Sequence, residues 1–266
     1  MVKLLLAKKT KIGHTGTLDP LASGLLVLLI GRATRLSRYV THLDKTYTAT
    51  ARFGAVSDTL DADGNVTALG NPMPDENTIR ATLHEFTGDL LQVPPMTSAL
   101  KRQGVRLYDL HRRGLTVERD ARPITVRSLT LTELDPAQET ATFEVACTSG
   151  TYVRTLISDL AHHLGTGAYL IALRRTRVGH LTLEDAATPA DLTPQTMHNH
   201  IIPPNGVVAH LPAVEIDPAR EPVICSGRRI EGFGEEVFRV EMEGELLAIY
   251  REDDRGARPE VVLCGG

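Results

Sequence analysis

No stretch of this 266-residue chain approaches the ~18 consecutive apolar residues that a membrane-spanning helix needs. Met1 to Lys9 has too short an apolar run for a secretory signal and no small-residue cleavage site. A cytoplasmic protein is therefore expected. Cysteine is scarce: Cys147, Cys225 and Cys264 are far apart, odd in number and without a CxxC pair. They read as reduced, buried thiols, with neither a zinc site nor a disulfide framework. No GxxxxGK[ST] and no GxGxxG occurs, so the glycine-rich loops that cradle nucleotide phosphates are missing. Internal repeats and low-complexity tracts are absent as well. The acidic turn SDTLDADG fails as a calcium loop: with Gly64 as the loop glycine, Thr59 and Gly70 fall at the first and last ligand positions.

What is there is an ordinary globular composition, 42% apolar and 23% charged, in a chain long enough to bury a sizeable core. Its net charge of −4 hides an uneven distribution. Residues 1–60 carry +6 and the remainder −10. Two further basic clusters follow, Lys101, Arg102, Arg106, Arg112 and Arg113, then Arg174, Arg175 and Arg177. Clustering of cations, not their total, makes a footprint for phosphates. Three such clusters favour a polyanionic partner over a merely solvated face.

The apolar run Leu25 to Ile30 fits a buried strand or a short buried helix. Tyr47 to Phe53 alternates as a half-buried strand does. Glu76 to Thr87 has helical spacing, with Asp75 placed to cap it. Ile124 to Leu134 and Ala141 to Cys147 read as paired strands, and Tyr152 to Leu164 as an amphipathic helix ended by Gly165. Thr188 to Asn205, with four prolines, reads as a connector. Beyond Leu211 short strands alternate with Gly-rich and charged turns, the pattern of a small all-β domain. This gives an α+β chain with domains at 1–210 and 211–266.

The stretch KIGHTGTLDPLASG, Lys11 to Gly24, carries one carboxylate, Asp19, before Pro20 and after two Gly-Thr turns. No other acid lies close, which excludes the paired carboxylates of a glycosidase, and no Asp, Glu or second His is near enough for a metal cage. Two readings stay open on spacing alone. Asp19 is either the side chain of an Asx-turn or helix cap, or a lone nucleophile or base on a rigid loop.

GHTGTLDPLASGLLVL closely resembles the catalytic motif of the bacterial tRNA pseudouridine-55 synthase family. The resemblance continues in order through RATRLSRYV, DKTYTATARFG, SDTLDADG, VPPMTSALKRQGVRLYDLHRRG, CTSGTYVRTLISDLAHHLG and AYLIALRRTRVG. These blocks span residues 11–180. The tail, 211–266, resembles the small PUA-like β domain appended to such enzymes.

The resemblance implies a pseudouridine-synthase fold with a mixed, largely antiparallel sheet flanked by helices. It implies isomerisation of a T-loop uridine of tRNA, a monomer and no cofactor. Asp19 becomes the catalytic carboxylate, attacking the sugar or the base or removing a sugar proton. Tyr47 stacks on the flipped base and Arg154 pairs with Asp19. His14 enters the RNA loop, Tyr152 and Leu173 line the uracil pocket, and Asp58 orders the surrounding residues. Lys101, Arg102 and Arg174 meet the RNA backbone, Arg175 and Arg177 beside them. Family members also carry about two dozen residues upstream of the Lys-x-Gly-His block, forming a strand and a Lys-Pro-x-Gly loop. Here ten residues precede Lys11, which predicts an uncovered sheet edge. It also keeps an alternative open: a catalytically impaired tRNA-binding or tRNA-folding protein on the same scaffold.

Overall fold

The computed structural model describes residues 2–102 and 104–265, without the side chain of Lys101. The chain divides into two compact units that interleave along the sequence. One comprises Met1–Thr17, Leu26–His42 and Gly179–Gly266; the other comprises Leu18–Leu25 and Leu43–Val178.

The Lys11 to Ile30 region forms three short strands, β1 (Ile12–His14), β2 (Ala22–Gly24) and β3 (Leu28–Ile30). The apolar run after Gly24 is thus neither one strand nor a helix. Its first residue, Leu25, belongs to one unit and the rest of the run to the other; Leu25 is buried while Leu26 is exposed.

The unit that holds β2 is built on one sheet. Its strands are β4 (Lys45–Phe53), β5 (Gly88–Gln92), β6 (Arg122–Asp135), β7 (Thr140–Cys147) and β8 (Ala168–Val178). They are ordered β8-β4-β7-β6-β5, all antiparallel, and β2 joins the other side of β8 in parallel. Alternation in β4 buries Ala49, Ala51 and Phe53 on one face, as a two-residue period requires. Helix α1 (Glu76–Thr82) starts where Asp75 accepts a hydrogen bond from the Thr78 N–H, 3.0 Å. Helix α2 (Val153–His163) presents Leu156, Ile157 and Leu160 to a core completed by Phe53, Phe143 and Leu170. Each such side chain contributes roughly 1.5–3 kcal/mol by leaving water. At the outer end of the sheet β5 pairs with β6, and its Leu91 is exposed.

Two glycines are fixed by close approach. Gly24 has φ +99°, and a Cβ there would come within 2.2 Å of the Arg175 carbonyl oxygen. A Cβ on Gly64 would meet the side chains of Asp58 and Thr59, both at 2.3 Å, in the turn between strands Ala55–Ser57 and Val66–Ala68.

In the other unit, β9 (Ala213–Glu215), β10 (Val237–Met242), β11 (Glu245–Asp253) and β12 (Gly256–Val262) form a four-stranded sheet in that order. Phe238 and Tyr250 stack in its core. Helix α3 (Glu221–Cys225) ends in a cysteine that is disulfide-bonded to Cys264. This corrects the expectation of three free thiols. The two cysteines are 39 residues apart, but α3 packs on the sheet and leaves their Cα atoms 5.2 Å apart, within bridging distance. Cys147 alone is free and buried.

The arginines of residues 31–41 are exposed and also make structural contacts. Arg32 donates to the Leu263 carbonyl, 2.8 Å, Arg35 to that of Val262, and Arg38 pairs with Glu260. They tie the 31–41 segment to the last strand of the same unit.

Candidate active site

Asp19 lies on the loop before β2, where the Ala22 N–H donates to its carbonyl, 2.9 Å. No helix follows, so the helix-cap reading fails. The carboxylate instead meets Arg154: Nη2 is 2.8 Å from Oδ2. Asp19 keeps 37% of its side chain exposed, whereas Arg154 keeps 4%. The carboxylate thus sits at the edge of a buried cation and remains reachable from solvent.

Arg154 is the second residue of α2, a poor place for a cation because helix N-termini carry partial positive charge. It is held there by a dense set of acceptors. Nη1 donates to Asp61 Oδ2 (3.0 Å), the Thr59 carbonyl (2.8 Å) and Thr97 Oγ1 (2.6 Å), and Nη2 to the Thr97 carbonyl (3.1 Å). Asp61 is itself buried. Its Oδ1 accepts from Thr59 Oγ1 at 2.5 Å and from the Asp63 N–H at 3.2 Å. The Leu170 N–H, donating to the Leu60 carbonyl at 3.1 Å, ties this turn to β8.

Burial pushes the Asp19 carboxyl above the usual carboxylate range. Arg154 opposes that shift, and the negative charge of Asp61 reinforces it. One guanidinium therefore serves two carboxylates, which leaves Asp19 more basic than a simple ion pair would.

Asp58, expected to order these residues, does not touch them. It is exposed and accepts from the Asn65 N–H (2.9 Å) and Nδ2 (2.8 Å), closing its own hairpin. The ordering acid is Asp61, three residues on. Its signal in SDTLDADG is local: Asp61 alone among the three acids is flanked on both sides by apolar residues, Leu60 and Ala62.

Tyr47, on β4, is half-buried against the core and pairs in register with Arg175 on β8. Burial raises its phenol, and the positive charge of Arg175 opposes the rise. Leu173 is buried, in register with Ala22 of β2 and Ala49 of β4. Tyr152 caps α2. Gln92 clamps its backbone at both ends, Oε1 accepting from its N–H at 2.8 Å and Nε2 donating to its carbonyl at 3.0 Å.

His14 is exposed at the end of β1, paired with Leu28 of β3, in the other unit. Lys101 and Arg102 form a two-residue strand against Val105–Arg106. Arg102 is exposed, and the side chain of Lys101 lies outside the described residues. Arg174 and Arg177 are exposed on β8. Arg175 is 2% exposed, so it faces inward and not toward phosphates. Alternation along the strand turns it away from Arg174, and the bulge between Arg175 and Arg177 turns it away from Arg177. Among the described residues no group of three His, Cys, Asp or Glu side chains is placed to hold a metal.

The chain that carries this carboxylate–arginine pair is similar to known proteins over most of its length. Residues 3–153 match the model of the TruB family pseudouridylate synthase (N-terminal domain), and residues 154–203 that of the tRNA pseudouridylate synthase B C-terminal domain. The chain belongs to the TruB family of pseudouridylate synthases. It is 45% identical over 249 residues to tRNA pseudouridine synthase B of Burkholderia mallei (strain NCTC 10247), a match covering 92% of this chain and 82% of that protein. It is 40% identical over 271 residues to tRNA pseudouridine synthase B of Cupriavidus metallidurans, over 96% and 86% of the two chains. The fold is similar to a chain in the structure of an H/ACA ribonucleoprotein bound to a substrate RNA containing 2'-deoxyuridine. The TM-score is 0.69 at 23% identity, over 96% of this chain and 77% of that one.

Proposed function

We propose that this protein isomerises a uridine of tRNA to pseudouridine, that the target is uridine 55 in the T loop, and that Asp19 is the carboxylate that reacts. The observation that carries this reading is the Asp19–Arg154 pair, 2.8 Å long and half open to solvent, in a chain of the TruB family. The relatives named above bear the name of the same activity.

In the reaction the N1–C1′ bond breaks, the base turns, and a C5–C1′ bond forms. C5 loses its proton and N1 gains one, so atoms and electrons balance without an electron acceptor. The raised basicity of Asp19 suits a group that must attack carbon or take a proton. The uridine leaves its stack to reach this carboxylate. Tyr47 then gives the base a face to stack on, and Tyr152 and Leu173 bound it. His14 occupies the T loop. Lys101, Arg102 and Arg174 engage RNA phosphates, with the 211–266 PUA-like domain as a second RNA contact. The protein acts as a cytoplasmic monomer.

The test is Asp19→Asn. T-arm RNA treated with wild type should gain pseudouridine, read as an alkali-resistant carbodiimide adduct, and release the C5 hydrogen. The variant should do neither, yet bind the RNA within about threefold of wild type, because base readout and phosphate contacts are untouched. A variant that loses binding in proportion to turnover would overturn the role of Asp19. Wild type that binds without turnover would identify an RNA-binding protein, and release of free uracil a nucleosidase.

A further inference from the structure

Arg175 stands apart from the exposed arginines on either side of it. Its Nε donates to the Leu25 carbonyl at 2.8 Å, and its own carbonyl accepts from the Leu25 N–H at 2.8 Å. One residue thus brackets Leu25 from both backbone directions. Immediately before it, Gly24 is pressed so close to the Arg175 backbone that no side chain fits between them. Asp19 lies six residues before Leu25, and its carbonyl accepts from Ala22, the first residue of the strand so bracketed. Across the sheet on β4, Tyr47 is the register partner of Arg175, and the positive charge of Arg175 favours ionisation of its phenol. Residues directly opposite on antiparallel strands project to one face, so this proximity follows from register.

We propose that Arg175 is a positioning residue: its buried side chain locks the strand that follows Asp19 and the hydroxyl of Tyr47 onto β8, and thereby fixes carboxylate and phenol relative to one another. The proposal rests on the reading of Asp19 and Tyr47 given above. Its chemical sense is preorganisation. A detached base must rotate between two fixed groups, and displacement of either by an ångström costs turnover far more than binding. Lysine cannot replace this arginine, because one ammonium lacks the planar fork that serves two acceptors at once.

Arg175→Lys, Tyr47→Phe and the double variant should be compared in steady-state tRNA modification. Arg175→Lys is expected to lower kcat on the order of 10- to 100-fold, with KM changed less than about threefold. The double variant should be no slower than the slower single, since the two residues act as one unit. Losses that multiply, or an unchanged kcat, would overturn the proposal. A second measurement needs no turnover. The protein is labelled with 3-fluorotyrosine, and the Tyr47 signal is assigned among the six tyrosines by its absence in Tyr47→Phe. Burial raises this phenol, with Cys147 and Asp19 adding to the rise, and Arg175 lowers it. In Arg175→Gln, which removes the charge, the fluorine signal should therefore titrate at higher pH, and an unmoved titration overturns the lock. Arg175→Gln serves the kinetic test as well if the lysine variant does not fold. Wild type without isomerase activity would overturn the functional reading alone, and the fluorine titration would still decide the proposal.

Discussion

Asp61 Oδ2 lies 3.0 Å from Nη1 of Arg154, and both side chains are buried. Arg154 therefore divides its charge between this acid and Asp19, and Asp61 opposes ionisation of Asp19. Catalysis that needs Asp19 ionised is lost as pH falls through its folded-state pKa, which lies above the ordinary 3.8. In Asp61→Asn the opposing charge is gone, so the acid limb of kcat/KM should move to lower pH. Turnover at neutral pH should fall about tenfold as Asp19 becomes a weaker base. Stability should drop by about 1–3 kcal/mol from the weakened buried hydrogen bonds. A pH–rate profile between pH 4 and 8 checks the sign, and an upward shift of the limb would contradict it.

Asp19 itself should cost stability near neutrality. Its folded pKa is raised above the unfolded value, so the native state holds the proton more tightly. Native stability then declines as pH rises through the unfolded and folded pKa values. Asp19→Asn removes this term, while Arg154 keeps Asp61 as its counter-ion. Melting at pH 7 should be no lower than wild type, and the advantage should vanish at acid pH.

Two arginines from the basic clusters should behave in opposite ways. Arg32 is bonded to the Leu263 carbonyl, so Arg32→Met should lower Tm by several degrees and leave tRNA affinity and its salt slope unchanged. Arg102 is exposed, so Arg102→Ala should leave Tm unchanged and flatten the slope of log K against log salt by about 0.7–0.9. Salt titrations of binding, run beside thermal melts, separate the two.

The Cys225–Cys264 bond closes a loop of 39 residues, for which chain entropy predicts about 4 kcal/mol of stabilisation. Reductant should lower the melting temperature of wild type. Cys225→Ser should melt lower from the outset and ignore reductant. Wild-type melts indifferent to reductant would show that the bond contributes nothing.

The strands and helices around the site follow from local pattern. Alternation located β4, β6 and β7, helical spacing located α2, and Asp75 was legible as a cap because its chemistry acts over three residues. Asp19, Tyr47 and Arg154 came from resemblance, since spacing alone favoured a turn or cap carboxylate, a strand-core tyrosine and a surface helix charge. What stayed hidden depends on partners distant in sequence. In one turn only its apolar flanks set Asp61 apart from Asp58, and the partner that gives Asp61 its role, Arg154, lies 93 residues away. Arg175 looks like its exposed neighbours until strand register turns it inward. The charge of Arg32, Arg35 and Arg38 was legible, but not their partners at the other end of the chain. The disulfide was missed for the same reason.

The bracket around Leu25 spans 150 residues of sequence, and this sets a clock. Asp19 is synthesised well before the strand that seats its loop, β8, which ends at Val178. At roughly 5–20 residues per second of synthesis, the Asp19 loop waits on the order of ten to thirty seconds for its dock. A nascent chain thus carries the Asp19 carboxylate unplaced until β8 has been made. Premature termination before β8 then yields a product with every residue of the Asp19 motif and no seat for it.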